Sequence, residues 1–119
     1  MIRRLVVVGM AALVVGHGAA ALAQDAAKIE KGKKVYAEAK PLACKTCHSV
    51  AGAGNAKGPL DGVGSKLTAE EIKAWLRTPK EMTAKAKATR KPPMPAYPPA
   101  KMSDENLDAL TAYLLTLKK

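Results

Sequence analysis

Apolar positions along the chain change their spacing from segment to segment, and each spacing predicts a different element. Leu5 to Val15 is an almost unbroken apolar run behind Arg3 and Arg4, and it leads to Ala21-Leu22-Ala23. Between Ala26 and Ala39, Ile29, Gly32, Tyr36 and Ala39 recur at helical spacing with Val35 beside them. Lys28, Lys31, Lys33 and Lys34 fall largely outside that stripe, so an amphipathic helix is expected, ended by Pro41. Gly32 inside it costs about 1 kcal/mol relative to Ala. It reads either as a tolerated glycine or as a point where another helix backbone comes close.

Thr68-Ala69-Glu70-Glu71 is a capping box that opens a second helix through Ile72, Trp75 and Leu76, stopping before Pro79. A final helix is expected from the N-cap Ser103, with Asp104 and Glu105 in its first turn. Leu107, Leu110, Leu114 and Leu117 form its buried stripe with Tyr113 alongside, and Lys118 and Lys119 suit its C-terminal dipole end. Between these helices, Ser49 to Gly64 holds five of the nine glycines and reads as a loop. It fits neither a P-loop nor a dinucleotide-binding pattern. Lys80 to Lys91 is basic, Ala-rich and weakly patterned, a short helix or an ordered loop. There is no internal repeat, and the expected class is all-α.

The first segment changes the length to be folded. A positive start, an apolar stretch and a small-residue end describe a signal peptide, with cleavage expected after Ala23. A retained anchor wants about 20 apolar residues, more than Leu5 to Gly16 supplies. Arg3-Arg4 alone is too short a signal for twin-arginine export. The division is therefore residues 1–23 as leader and 24–119 as one domain, with a periplasmic location and no stable membrane insertion after cleavage. Removal of Arg3 and Arg4 lowers the formal charge from +10 to +8, and removal of His17 leaves His48 as the one histidine. The aromatics are Tyr36, Trp75, Tyr97 and Tyr113, with no Phe. A domain this small with so few large side chains has difficulty building a core unaided. With that composition and an export signal, the positive charge does not point to nucleic acid.

The candidate chemistry lies in Cys44-Lys45-Thr46-Cys47-His48. Two thiols three positions apart with an imidazole directly after the second match covalent haem attachment. Each Cys can add across one haem vinyl group, and His48 is then carried to the iron as an axial ligand. The competing readings are weaker. A Cys44–Cys47 disulfide suits an oxidising compartment but gives the histidine no role. A thioredoxin-like pair needs a βαβ context that the pattern lacks, and structural zinc needs four ligands. A buried porphyrin would also supply the apolar mass that the aromatics do not. Trp75 reads as a core residue whose indole N–H needs a partner, with a haem propionate as one candidate.

A second axial ligand is sought among the methionines, lysines, N-terminal amine or water, because one histidine excludes a bis-histidine site. Met82 lies in the weakly patterned basic stretch, and Met102 has the place of a hydrophobic staple before Ser103. Met94 stands in Pro92-Pro93-Met94-Pro95-Ala96-Tyr97-Pro98-Pro99, a stretch that could otherwise be a linker or a polyproline recognition segment. The prolines restrict the backbone around Met94, so little further entropy is lost when its sulfur reaches a metal. Met94 is the expected distal ligand.

The order helix, Cys-X-X-Cys-His, glycine-rich loop with Gly58-Pro59-Leu60, middle helix, proline-flanked Met94 and final helix resembles small class I bacterial cytochromes c from Ala26 to Lys119. The resemblance implies three to five helices around one covalently bound haem c, with first and last helices crossing and Gly32 facing the region of Tyr113. It implies that Pro59, eleven residues after His48, offers its carbonyl to the second imidazole nitrogen. It also implies a monomeric one-electron carrier rather than an enzyme, serving redox partner proteins with acidic docking surfaces. A c-type subunit of a larger oxidoreductase, or a haem enzyme or ligand sensor with an open sixth site, are the alternatives.

Overall fold

The computed structural model describes residues 18–119, so residues 1–17 of the expected leader lie outside the described residues. Five helices occur among the described residues, α1 (Gly18–Ala37), α2 (Val63–Lys66), α3 (Ala69–Arg77), α4 (Pro79–Ala86) and α5 (Asp104–Leu115). The all-α expectation is what forms. None of the described helices is long and apolar enough to cross a membrane.

Helix α1 begins earlier than its amphipathic stripe because Ala19, Ala20, Ala21 and Ala23 are strong helix formers. Its Gly32 meets α5. A Cβ added there would overlap the Ala109 carbonyl oxygen and stand 2.6 Å from Tyr113 Cβ. The glycine therefore marks a backbone crossing, as the resemblance implied. Tyr36 and Tyr113 pack beside it in a tilted arrangement with ring centroids 5.9 Å apart and planes 54° apart, and Lys31 pairs with Glu105 across the outside. Val35 and Tyr36 from α1, Ile72 and Leu76 from α3, and Leu107, Leu110 and Leu114 from α5 close the core with Leu42, Tyr97 and Met102.

The capping box forms in full, with Glu71 N–H donating to Thr68 Oγ1 at 3.2 Å and Thr68 N–H to Glu71 Oε2 at 2.8 Å. Ser103 caps α5 through Asn106 N–H at 3.2 Å. At the C-terminus two details depart from the sequence reading. Leu117 falls beyond α5 and only partly joins the core. Lys119 turns back to Ser65, donating its backbone N–H to Ser65 Oγ at 3.2 Å rather than serving the dipole of α5. That turn is anchored by Gly64, whose N–H donates to Leu117 O at 2.9 Å and where an added Cβ would overlap the Leu115 carbonyl. The Ser49–Gly64 stretch is more ordered than a plain loop. Ser49–Val50 (β1) pairs antiparallel with Ala53–Gly54 (β2), and Ser49 also bridges to Pro59.

Candidate functional site

Cys44–Thr46 forms one turn of 3-10 helix, entered through Ala43 in the left-handed region at φ 48°. Cys47 and His48 both donate their N–H groups to the Cys44 carbonyl, at 3.1 and 2.9 Å. This turn puts both thiols and the imidazole on the wall of one cavity. Both thiols are free, so no disulfide joins them. Burial pushes the Cys44 thiol above its usual pKa.

His48 is held from behind. Its Nδ1 lies 3.0 Å from the carbonyl oxygen of Gly58. The expectation for Pro59 is thereby corrected by one residue. Ser49 N–H donates to Gly58 O at 3.1 Å and Leu60 N–H to Ser49 O at 2.8 Å. That pairing aims the Gly58 carbonyl toward Ser49 and the adjoining imidazole. The next carbonyl in an extended stretch points the other way. With the proton on Nδ1 donated to Gly58, Nε2 keeps its lone pair for a metal. Burial lowers the His48 pKa, the bond to Gly58 opposes this, and the Arg90 charge lowers it further.

The cavity, about 510 Å³, falls in the range of cofactor pockets. Leu60, Leu67, Leu76 and Leu110 give it an apolar lining, and Trp75 stands half-buried in the same wall. Met94 also lines it. Met102 is 1% exposed in the core, as a staple would be, and Met82 is not part of the cavity wall. The cavity thus gathers Cys44, Cys47, His48, Met94 and Trp75, whereas Pro59 is exposed and not among the lining residues, and Gly58 makes the bond expected of Pro59.

The segment after Met94 is pinned by residues the sequence reading did not single out. Tyr97 donates its N–H to Leu76 O and its hydroxyl to Leu42 O, both at 2.8 Å. Arg77 Nη1 donates to the carbonyls of Tyr97 and Met102 at 2.7 Å, and Nη2 pairs with Asp104 at 2.7 Å. Arg77 ends α3 directly before Thr78-Pro79, and nothing local marks it as a clamp. Before Met94, Arg90 Nη2 donates to Cys47 O at 2.6 Å.

The donor set fits haem better than a bare ion. Among the described residues no three His, Cys, Asp or Glu side chains gather as a metal cage. One imidazole and one thioether on an apolar cavity suit a metal that brings its own equatorial ligands. Two free thiols on that wall suit covalent attachment of the ring.

The comparisons with known proteins bear on this arrangement. The chain is 34% identical over 97 residues to the cytochrome c oxidase subunit 2 of Alkalihalophilus pseudofirmus, an alignment covering 74% of this chain. It spans about a quarter, 25%, of that relative's length. No solved structure gives a significant match. The family model described as cytochrome c matches residues 29–118, from α1 to the end of the chain's last turn, and the chain belongs to the cytochrome c family.

Proposed function

We propose that the protein is a periplasmic one-electron carrier rather than an enzyme. It would bind one haem c through thioethers from Cys44 and Cys47, with His48 and Met94 as axial ligands. The observation that carries this is an apolar cavity whose wall includes all four side chains. When bound, the haem supplies a ferric/ferrous couple. His48 would hold the iron through Nε2 while Gly58 O fixes its ring, and Met94 would supply the second protein ligand from a proline-restricted loop. A thioether opposite imidazole favours a higher potential than two imidazoles. The apolar lining limits water entry, and a filled sixth site leaves no room for oxygen or peroxide chemistry.

Membership of the cytochrome c family supports haem-based electron transfer. Processing after Ala23, the periplasmic location and a monomeric state belong to this reading. The lysines leave a basic surface on a mature chain of charge +8, suited to an acidic redox partner whose association slows as salt rises. A second reading, a c-type subunit fixed in a larger oxidoreductase, is favoured by the likeness to part of an oxidase subunit.

Mass spectrometry of protein purified from an exporting cell tests the reading. One haem retained through acid-acetone extraction, on a chain starting near Gln24, is expected. The oxidised spectrum should carry a methionine-to-iron charge-transfer band, and the reduced protein should bind carbon monoxide at neutral pH far more slowly than a haem protein with an open sixth site. A haem-free chain with a Cys44–Cys47 disulfide would overturn it. Co-purification with further oxidoreductase subunits would select the second reading.

A further inference from the structure

The segment leading into Met94 is tied to the far side of the cavity by one side chain. Arg90 stands four residues before Met94, after the end of α4, and its Nη2 reaches the Cys47 carbonyl across 43 positions of sequence. Its guanidinium also covers Gly58. A Cβ built on that glycine would stand 2.9 Å from Arg90 Cζ and overlap Nη1. Gly58 is itself buried, and its carbonyl faces His48 Nδ1. Arg90 therefore touches the peptide that precedes His48 and the glycine that orients its ring.

This is not the arrangement of a solvated surface charge. Lys85, Lys87 and Lys91 nearby are exposed. Arg90, though exposed on its outer side, makes a charged-donor bond to a carbonyl, which is stronger than a neutral one. The guanidinium occupies space that a glycine leaves open, and an ammonium would not cover the same surface. Arg90 is also among the residues lining the cavity.

We propose that Arg90 is a positioning residue joining the two sides of the site. It holds the Met94 segment against the Cys47-His48 motif and fixes a positive charge beside the histidine's hydrogen-bonded edge. The inference rests on His48 and Met94 being the axial ligands. The tie prolongs methionine ligation, and the charge favours the state holding one more electron. Because solvent reaches the outer face of the guanidinium, the second effect is moderate.

Redox titration and carbon monoxide binding to the reduced, haem-loaded protein test this with Arg90→Ala and Arg90→Lys. Arg90→Ala should bind carbon monoxide about tenfold faster, the size expected for one lost charge-assisted hydrogen bond. Its reduction equilibrium should move about threefold toward the oxidised form. Arg90→Lys should keep the wild-type potential while recovering only part of the barrier to carbon monoxide. A side chain with a merely structural role would lower the unfolding temperature without separating the two variants in potential. Arg90→Ala at wild-type values on either measurement, or Arg90→Lys shifted as far as Ala in potential, overturns the proposal. A wild-type protein without the methionine charge-transfer band would instead remove the ligand reading, and the inference with it.

Discussion

The crossing of α1 with α5 and the wall around the cavity are held together in different ways. At the crossing, backbone meets backbone. Gly32 sits against Ala109, and Tyr36 packs on Tyr113 with no hydrogen bond from its hydroxyl. Around the cavity, irregular segments are held by side chains that donate to carbonyls: Tyr97 to Leu42, Arg77 to Tyr97 and Met102, Arg90 to Cys47. Shape fixes the first region, so it should be sensitive to added volume. Directed donors fix the second, so it should be sensitive to the loss of single polar groups. The division means that the ties around the cavity can be altered singly while the scaffold stays.

The largest effect should come from volume at the crossing. Gly32→Ala on an exposed helix would gain about 1 kcal/mol in propensity. Here the new methyl group overlaps the Ala109 carbonyl, and backbone cannot step aside as a side chain can. The substitution should instead cost about 3 kcal/mol, read as a fall in the denaturant midpoint at constant slope. Gly52 is the control, with φ +82° and nothing within 4 Å of an added Cβ. Gly52→Ala should cost only about 1 kcal/mol of backbone strain. Equal costs at the two positions would break the distinction.

Two methionines sharpen it further. Met102→Ala empties a fully buried core position and should cost about 3 kcal/mol while the haem spectrum stays intact. Met94→Ala, at a half-buried position, should cost less than about 1.5 kcal/mol in apolar packing. It should nevertheless abolish the charge-transfer band, lower the potential and admit carbon monoxide. If the band survives Met94→Ala and disappears in Met102→Ala, the ligand has been assigned to the wrong residue.

The same division explains what was legible in the sequence. Helical spacing, the Thr68 capping box and the Ser103 cap are local signals, so α3 and α5 begin where the residues indicate. Gly32 could be read locally as a close approach of another helix backbone, but which helix it meets came from the family resemblance. Cys44, Cys47, His48 and Met94 announce themselves by residue type and spacing. The supports do not. Arg77 and Arg90 look like any other basic residues until the fold brings distant carbonyls to them. Pro59 drew attention as a proline, whereas the acceptor facing His48 is the carbonyl of Gly58, chosen by the Ser49 pairing. Register of that kind is set by hydrogen bonds between segments and leaves no trace in spacing.

A smaller effect is expected where one tie of the wall is removed. Tyr97→Phe keeps the ring and deletes the donor to Leu42 O. The loss should be about 1 kcal/mol, with the Leu42 carbonyl left unpaired in the core. Because Tyr97 follows Met94 by three residues, carbon monoxide should also enter the reduced protein faster than in wild type. A stability loss with no change in carbon monoxide binding would assign Tyr97 to the scaffold instead.

The smallest effect, and the most discriminating, concerns Tyr36, which belongs to both regions. It is 4% exposed at the crossing, yet it also lines the cavity, and its hydroxyl has no hydrogen-bond partner. Burial pushes its pKa up to about 12. In the unfolded chain the phenol ionises near its ordinary value of about 10. The folded state therefore holds its proton longer, and the stability linked to this group is complete below pH ~10 and is lost as pH rises toward ~12. Tyr36→Phe preserves the contact with Tyr113 and removes the unpartnered hydroxyl. At pH 7 it should leave the haem-loaded protein unchanged or more stable by up to about 1 kcal/mol. Between pH 10 and about 12 its stability should fall less than that of wild type, with Tyr97, also raised by burial, supplying part of the remaining slope. If Tyr36→Phe instead costs more than about 1 kcal/mol at pH 7, the hydroxyl has a polar partner in the loaded protein. The inner face of the crossing would then be part of the cofactor site, and the boundary between scaffold and wall would move to the far side of Tyr36.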